Sequence, residues 1–288
     1  MTKKVFTLGS LFSGSGGFEL AGSFVGLKPI WNAEVEPYCI KITDARFPNV
    51  KQLGDVCNIN GNEIEPVDVI TFGSPCQDLS QAGRQVGIHN GSRSSLFFEA
   101  IRIIKEMRLA TSNEYPKYAV WENVKGALGS NKGDDFHAVM QAFANICEPN
   151  TTIPRPKKWQ SAGAMAGNGW SVAWRVLDAQ YWGVPQRRQR IFCIADFTGE
   201  RAAQILFKPE SMCRNSTKGF KSWQANTFNS ERSIRADSLF AIGGGQLMFE
   251  NHSQDTRYKG PINIARSVVA QFGTGGNNTP FIVEVNNE

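Results

Sequence analysis

The chain has 288 residues, 41% hydrophobic and 20% charged, the composition of a soluble globular protein with enough chain to bury a sizeable core. Its longest apolar runs, residues 118–121 and 191–195, are far too short to span a bilayer, and the opening Met-Thr-Lys-Lys-Val-Phe lacks the apolar stretch of a secretory signal. A cytoplasmic protein without a membrane partner is expected. The net charge of +5 is uneven: residues 151–288 hold 17 Lys/Arg against 10 Asp/Glu, so the basic half suits a polyanion.

Six cysteines stand singly at positions 39, 57, 76, 147, 193 and 213, and the three histidines, His89, His137 and His252, lie far apart. No Cys-x-x-Cys pair occurs, which argues against a structural zinc site and a disulfide framework; no metal is expected.

Up to about residue 197 short β-rich runs alternate with helical patterns. Residues 5–11, 29–35, 67–72, 118–121, 171–177 and 191–195 read as strands, and 37–46, 96–107 and 136–146 as helices. In the second helix Leu96, Phe97, Ala100, Ile101 and Ile104 form one apolar stripe. Such alternation predicts an α/β fold with a mostly parallel sheet, whose ligands sit beyond the carboxyl ends of the strands. Residues 148–169, with prolines at 149, 154 and 156, read as a loop insertion. Beyond residue 198 the alternation stops and Asn, Ser, Gly and isolated aromatics take over, which sets a boundary there.

The strand ends carry the chemistry. After the first strand comes Phe12-Ser-Gly-Ser-Gly-Gly-Phe18, and a helical pattern follows from Glu19. Gly14, Gly16 and Gly17 allow a sharp turn and close approach to a ligand, although a glycine turn alone serves equally well as a connection. The second strand ends in Ala33-Glu34-Val35, with Glu34 placed to accept from ribose hydroxyls, and Gly54-Asp55-Val56 offers a second acid. Each acid could equally be an exposed loop residue. After the next strand comes Ser74-Pro75-Cys76-Gln77, where Pro75 fixes the backbone before a thiol at the mouth of the sheet. The strand at residues 118–121 ends in Trp121-Glu122-Asn123-Val124, where a buried acid can donate a proton. Gln186-Arg187-Arg188-Gln189-Arg190 leads into the last strand. Arg188 and Arg190 alternate along an extended segment and can fork onto phosphate or a base carbonyl.

This ordered set resembles the motifs of the DNA cytosine-C5 methyltransferases, in a form similar to phage and prophage enzymes, over residues 5–197 and more weakly beyond. The resemblance implies a Rossmann-like S-adenosylmethionine-dependent methyltransferase fold over residues 1–197, and part of a small target-recognition region over 198–288. It implies S-adenosylmethionine as cofactor and double-stranded DNA as partner. Carried over by motif, Cys76 attacks C6 of a flipped cytosine, Glu122 protonates N3, Arg190 holds O2, and Arg188 supports it or meets phosphate. Phe12 would lie against the adenine, Glu34 on the ribose and Asp55 on the adenine amine. Gly14, Gly16 and Gly17 would border the methionine end, with Val35, Val56 and Pro75 also lining the site.

Two departures stand out. Ser74 replaces the first proline of the commoner Pro-Pro-Cys form, a change expected to be tolerated. Residues 264–278 resemble a stretch of the recognition region, and the motifs that follow it in the family do not occur in the ten residues to Glu288. The expectation is a chain that is marginally stable or inactive alone, from a truncated reading frame or a gene fragment, or more rarely a split enzyme whose second polypeptide supplies those motifs. Three other readings stay open: a DNA-binding remnant without turnover, a tRNA methyltransferase of the same superfamily, and a nicotinamide-dependent oxidoreductase, which leaves the Cys76, Glu122 and arginine motifs unexplained.

Overall fold

The computed structural model describes residues 5–75, 96–182 and 186–207, and the backbone of 246–251, 258–259, 265–266 and 280–284. These form two compact units, Met1–Val176 with Arg190–Pro209, and Leu177–Gln189 with Glu210–Glu288.

The first unit is built on strands β1 (Thr7–Leu11), β2 (Lys28–Ala33), β3 (Lys51–Gln52), β4 (Val69–Phe72), β5 (Tyr118–Val124), β6 (Ala162–Gly167), β7 (Trp170–Asp178) and β9 (Gln189–Asp196); β8 (Gln186–Arg187) lies in the second. The eight strands run in the order β3-β2-β1-β4-β5-β9-β7-β6. Strands β3 to β5 are joined by parallel ladders, β9 runs antiparallel to β5, and β6 antiparallel to β7. This is the expected Rossmann-like methyltransferase architecture. At its centre β4 (Val-Ile-Thr-Phe) is buried at all four positions, as a strand covered on both sides must be.

The helices are α1 (Gly17–Phe24), α2 (Pro37–Arg46), α3 (Leu96–Ala110), α4 (Asp134–Cys147) and α5 (Ala202–Leu206). In α4 the buried Phe136, Val139, Met140 and Phe143 repeat at helical spacing, and Asp134 and Asp135 in the first turn complement the helix dipole. In α3 burial extends past the expected stripe to Ile103, Met107 and Arg108, because the helix is covered on more than one side. Phe97 meets Trp121 edge to face at 5.7 Å and lies 6.0 Å from Phe72, which joins α3 to β4 and β5. Arg102 pins the turn after β3 to α3: it donates to the Val56 and Ile59 carbonyls and pairs with Glu99 and Glu106.

One expectation is corrected. Within residues 148–169, read as loop, Ala162–Gly167 is strand β6, the outermost of the sheet. Its Ala-Gly-Ala-Met-Ala-Gly sequence has no β-branched or aromatic residue, so propensity gives no sign of it. Pairing with β7 creates it, through a two-residue link at Asn168-Gly169 in which Gly169 takes φ 76°. The preceding irregular segment is also well anchored: Trp159 packs edge to face on Phe136 (4.9 Å) and Trp174 (5.5 Å), and its Nε1 donates to the Gly133 carbonyl.

In the second unit β10 (Gln246–Asn251) pairs antiparallel with β11 (Tyr258–Lys259) and β13 (Pro280–Glu284), and β12 (Ala265–Arg266) pairs parallel with β8. No helix among the described residues is long and apolar enough to cross a membrane.

Candidate functional site

The glycine turn leaves β1 through left-handed backbone at Phe12 (φ 55°) and Gly14 (φ 54°), and Gly16 (φ 85°) caps α1. A non-glycine residue at positive φ is strained, so Phe12 is held there by its surroundings. Ser13 N–H donates to the Ala33 carbonyl (3.1 Å), which ties the turn to the end of β2. A Cβ added at Gly14 or Gly17 would meet nothing within 4 Å, so open space borders the turn on the side where a ligand would lie.

Glu34, just beyond β2, organises this edge. One carboxylate oxygen accepts from Gly14 N–H (2.7 Å), and the other from the Val35 (2.8 Å) and Glu36 (3.0 Å) N–H groups. Gln52 Oε1 accepts from the N–H groups of Glu34 (3.2 Å) and Gly54 (3.0 Å), and so joins β2 to the loop that carries Asp55. Asp55 caps the following turn by accepting from Cys57 N–H (2.9 Å). The Cys57 thiol, at an exposed position, is pushed above its ordinary range by partial desolvation and then by the neighbouring Asp55 carboxylate. Val35 is 63% exposed beside Glu34, an unusual state for a valine unless something apolar covers it, whereas Val56 is buried in the core. Phe12, Gly14, Glu34, Val35 and Asp55 are thus gathered at the carboxyl end of β1 to β3. The turn geometry, the open space and the carboxylates suit a nucleoside carrying an amino-acid tail.

The second group lies at the ends of β4 and β5. Ser74 is buried; its Oγ accepts from Trp121 Nε1 (3.1 Å), and its carbonyl accepts from Asn123 Nδ2 (3.1 Å). Two side chains of β5 therefore hold the backbone that leads through the exposed Pro75 to Cys76. Cys76 itself lies outside the described residues. Between those anchors Glu122 points to the other side of the strand. Its Oε2 lies 3.4 Å from where a Cβ on Gly73 would stand, and its Oε1 lies 3.1 Å from Arg190 Nε on β9. The ladder explains the pairing: Glu122 stands opposite Phe192 and Val124 opposite Arg190, which makes Glu122 and Arg190 diagonal neighbours on one face. Arg188 belongs to the second unit, where its N–H donates to Asp178 Oδ1 (3.1 Å) and its carbonyl accepts from Ala179 N–H (3.1 Å).

Sequence reasoning missed Gln52, Ser74, Trp121 and Asn123 as supports. Their roles are contacts between segments far apart in the chain, for which only the strand-end position of each gives a hint. Among the described residues no group of three or more His, Cys, Asp or Glu side chains could hold a metal ion.

A profile of the C-5 cytosine-specific DNA methylases matches residues 6–147 and 159–259. A DNA N-6-adenine-methyltransferase of Escherichia phage P1 is 33% identical over 238 residues, covering 74% of this chain and 31% of that protein. The orphan methyltransferase M.SPRI of Bacillus phage SPR is 30% identical over 227 residues, covering 76% of this chain and 45% of that one. Among solved structures, a putative DNA modification methyltransferase encoded within an Escherichia coli prophage is 22% identical, with a TM-score of 0.46 over 66% of this chain and 46% of that one. The chain spans less than half the length of these relatives. With the family profile covering most of its length and the strand-end motifs in the family's order, the chain belongs to the C-5 cytosine-specific DNA methylases, whose methyl donor is S-adenosylmethionine.

Proposed function

We propose that this protein transfers a methyl group from S-adenosylmethionine to C5 of cytosine in double-stranded DNA, through a covalent bond between Cys76 and C6 of a flipped base. The observation that carries this reading is the Glu122–Arg190 pair, 3.1 Å apart beside Gly73, a glycine three residues before Cys76 in the chain. A carboxylic acid and a guanidinium side by side can meet the N3 and O2 edge of one cytosine. Glu122 supplies a proton to N3 and Arg190 holds O2, so that charge does not accumulate on the ring when the Cys76 thiolate adds to C6. The cofactor supplies an electrophilic methyl group to C5. A base then removes the C5 proton, and Cys76 leaves as the C5–C6 double bond re-forms. Arg188 meets a DNA phosphate.

On the cofactor side Phe12 covers the adenine, Glu34 accepts from the ribose hydroxyls, Asp55 from the adenine amine, and Val35 and Pro75 complete the wall, with Val56 packed in the core behind it. Gly14, Gly16 and Gly17 give the methionine end room. Residues 1–197 form the catalytic part, and residues 198–288 part of a target-recognition region whose basic surplus suits DNA.

Duplex DNA carrying 5-fluorocytosine tests the covalent step, because a C5 fluorine cannot leave as the proton does. Incubation with S-adenosylmethionine should give a denaturation-resistant protein–DNA adduct that Cys76→Ser lacks. An adduct formed equally by the variant would contradict the assignment.

A further inference from the structure

Beneath the glycine turn lies a cluster of buried polar side chains whose mutual contacts leave several oxygens short of a well-formed hydrogen bond. Glu19, in the first turn of α1, has no exposed surface; the Ser10 and Asn32 side chains lie against its carboxyl group, yet neither carboxyl oxygen has a partner in good hydrogen-bond geometry. Ser10 Oγ on β1, Ser13 Oγ in the turn and Asn32 Oδ1 on β2 are buried and short of a well-formed hydrogen bond as well, at 0%, 6% and 2% exposure. The fold brings them together: Ser10 and Asn32 are direct partners in the β1–β2 ladder, and α1 is the connection between those strands. Native interiors rarely leave so many neighbouring polar atoms unsatisfied without internal water or a ligand-linked role. A carboxyl group is also an expensive occupant of such a place unless its charge is used.

Burial raises the Glu19 carboxyl above the ordinary Glu range. The Glu19 backbone N–H and the Asn32 and Ser10 side chains beside it offset this in part, and the Glu34 carboxylate adds to the rise. Ser10, Ser13 and Asn32 are neutral, so Glu34 is the charged group that acts on Glu19 among the described residues. The cofactor proposed for the space above the turn brings a sulfonium cation into the same poorly screened region.

We propose that Glu19 is the buried counter-charge of the cofactor site: it holds a proton when the site is empty and releases it to solvent when the sulfonium binds above Ser13 and Gly14. Cofactor binding and proton release are then one linked event. Glu19 acts through the turn and is a positioning residue without direct contact to the reacting atoms. This inference rests on the assignment of the glycine turn to the cofactor.

Calorimetric titration of the full chain with S-adenosylmethionine, in buffers of different ionisation enthalpy between pH 5 and 8, reads the protons exchanged per cofactor bound. The wild type should release protons, more with S-adenosylmethionine than with S-adenosylhomocysteine, which lacks the sulfonium charge. Release should fade once the pH is raised far enough to ionise Glu19 in the empty site. Glu19→Gln, which keeps the shape of the side chain, should bind the cofactor without that release. Binding by the wild type with no proton exchange, or with exchange identical in Glu19→Gln, would overturn the inference and leave the cofactor reading intact. Failure to bind either ligand would overturn both.

Discussion

Glu122 and Arg190 reach each other diagonally across the antiparallel β5–β9 ladder, with 3.1 Å between Oε1 and Nε and each side chain about four-fifths buried. The pair is held by main-chain register rather than by loops, the kind of support that keeps functional groups in place to a fraction of an ångström. Glu122→Gln keeps the volume and removes the proton donor, and should lower methyl transfer on the order of 10²-fold or more. Arg190→Ala should do the same, and the double variant should lose much less than the product of the two, because the residues act as a unit. Single-turnover rates on duplex DNA check this; losses that multiply would show that the two act independently.

Gly14 combines a positive φ with open space beside it. Gly14→Ala should strain the turn by about 1 kcal/mol. The added methyl group would also occupy the space assigned to the cofactor. Calorimetric titration should show the dissociation constant of S-adenosylmethionine rising at least tenfold, while the melting temperature drops by only a few degrees. Unchanged affinity would move the cofactor away from this turn.

Asp68 anchors the start of the sheet. It accepts from Thr7 N–H and Oγ1 and pairs with Lys117 Nζ at 2.7 Å. Burial alone would raise its carboxyl, but the Lys117 and Thr7 donors prevail and hold it below the ordinary Asp range. A depressed folded-state value means that its contribution is present above the unfolded value, near ~4, and disappears as pH falls through the folded one. Asp68→Asn should therefore cost about 1–3 kcal/mol at pH 7. Denaturant titrations should show the gap to wild type closing as the pH approaches 2, and a constant gap would refute the linkage.

Trp159 fixes the irregular segment before β6 to the core. Trp159→Ala removes two edge-to-face contacts and the hydrogen bond to Gly133, and should cost about 3–5 kcal/mol. Equilibrium unfolding measures this; a loss below 1 kcal/mol would mean that the segment closes over the gap.

The parts legible in the sequence are those where local chemistry and strand position coincide. Gly14 before a helix, Glu34 after β2 and Glu122 at the end of β5 each stand where a parallel sheet presents ligands. What the sequence hides is cooperation at a distance. Gln52 reads as an ordinary polar residue until its amide oxygen is seen to accept from both Glu34 and Gly54. Ser74 reads as a tolerated replacement for proline, yet its hydroxyl takes the Trp121 indole N–H. Glu19 stands in the sequence only as the start of a helical pattern, with no sign that its side chain is fully buried. Strand β6 is invisible because pairing, not propensity, makes it, although Asn168-Gly169 marks the turn.

The most direct test of the central claim is to expose mixed-sequence duplex DNA to methyl-labelled S-adenosylmethionine, digest it, and identify the modified base. Label is expected in 5-methylcytosine, and none with Cys76→Ser. Label in N6-methyladenine, or label in 5-methylcytosine that survives the Cys76→Ser change, would contradict the claim.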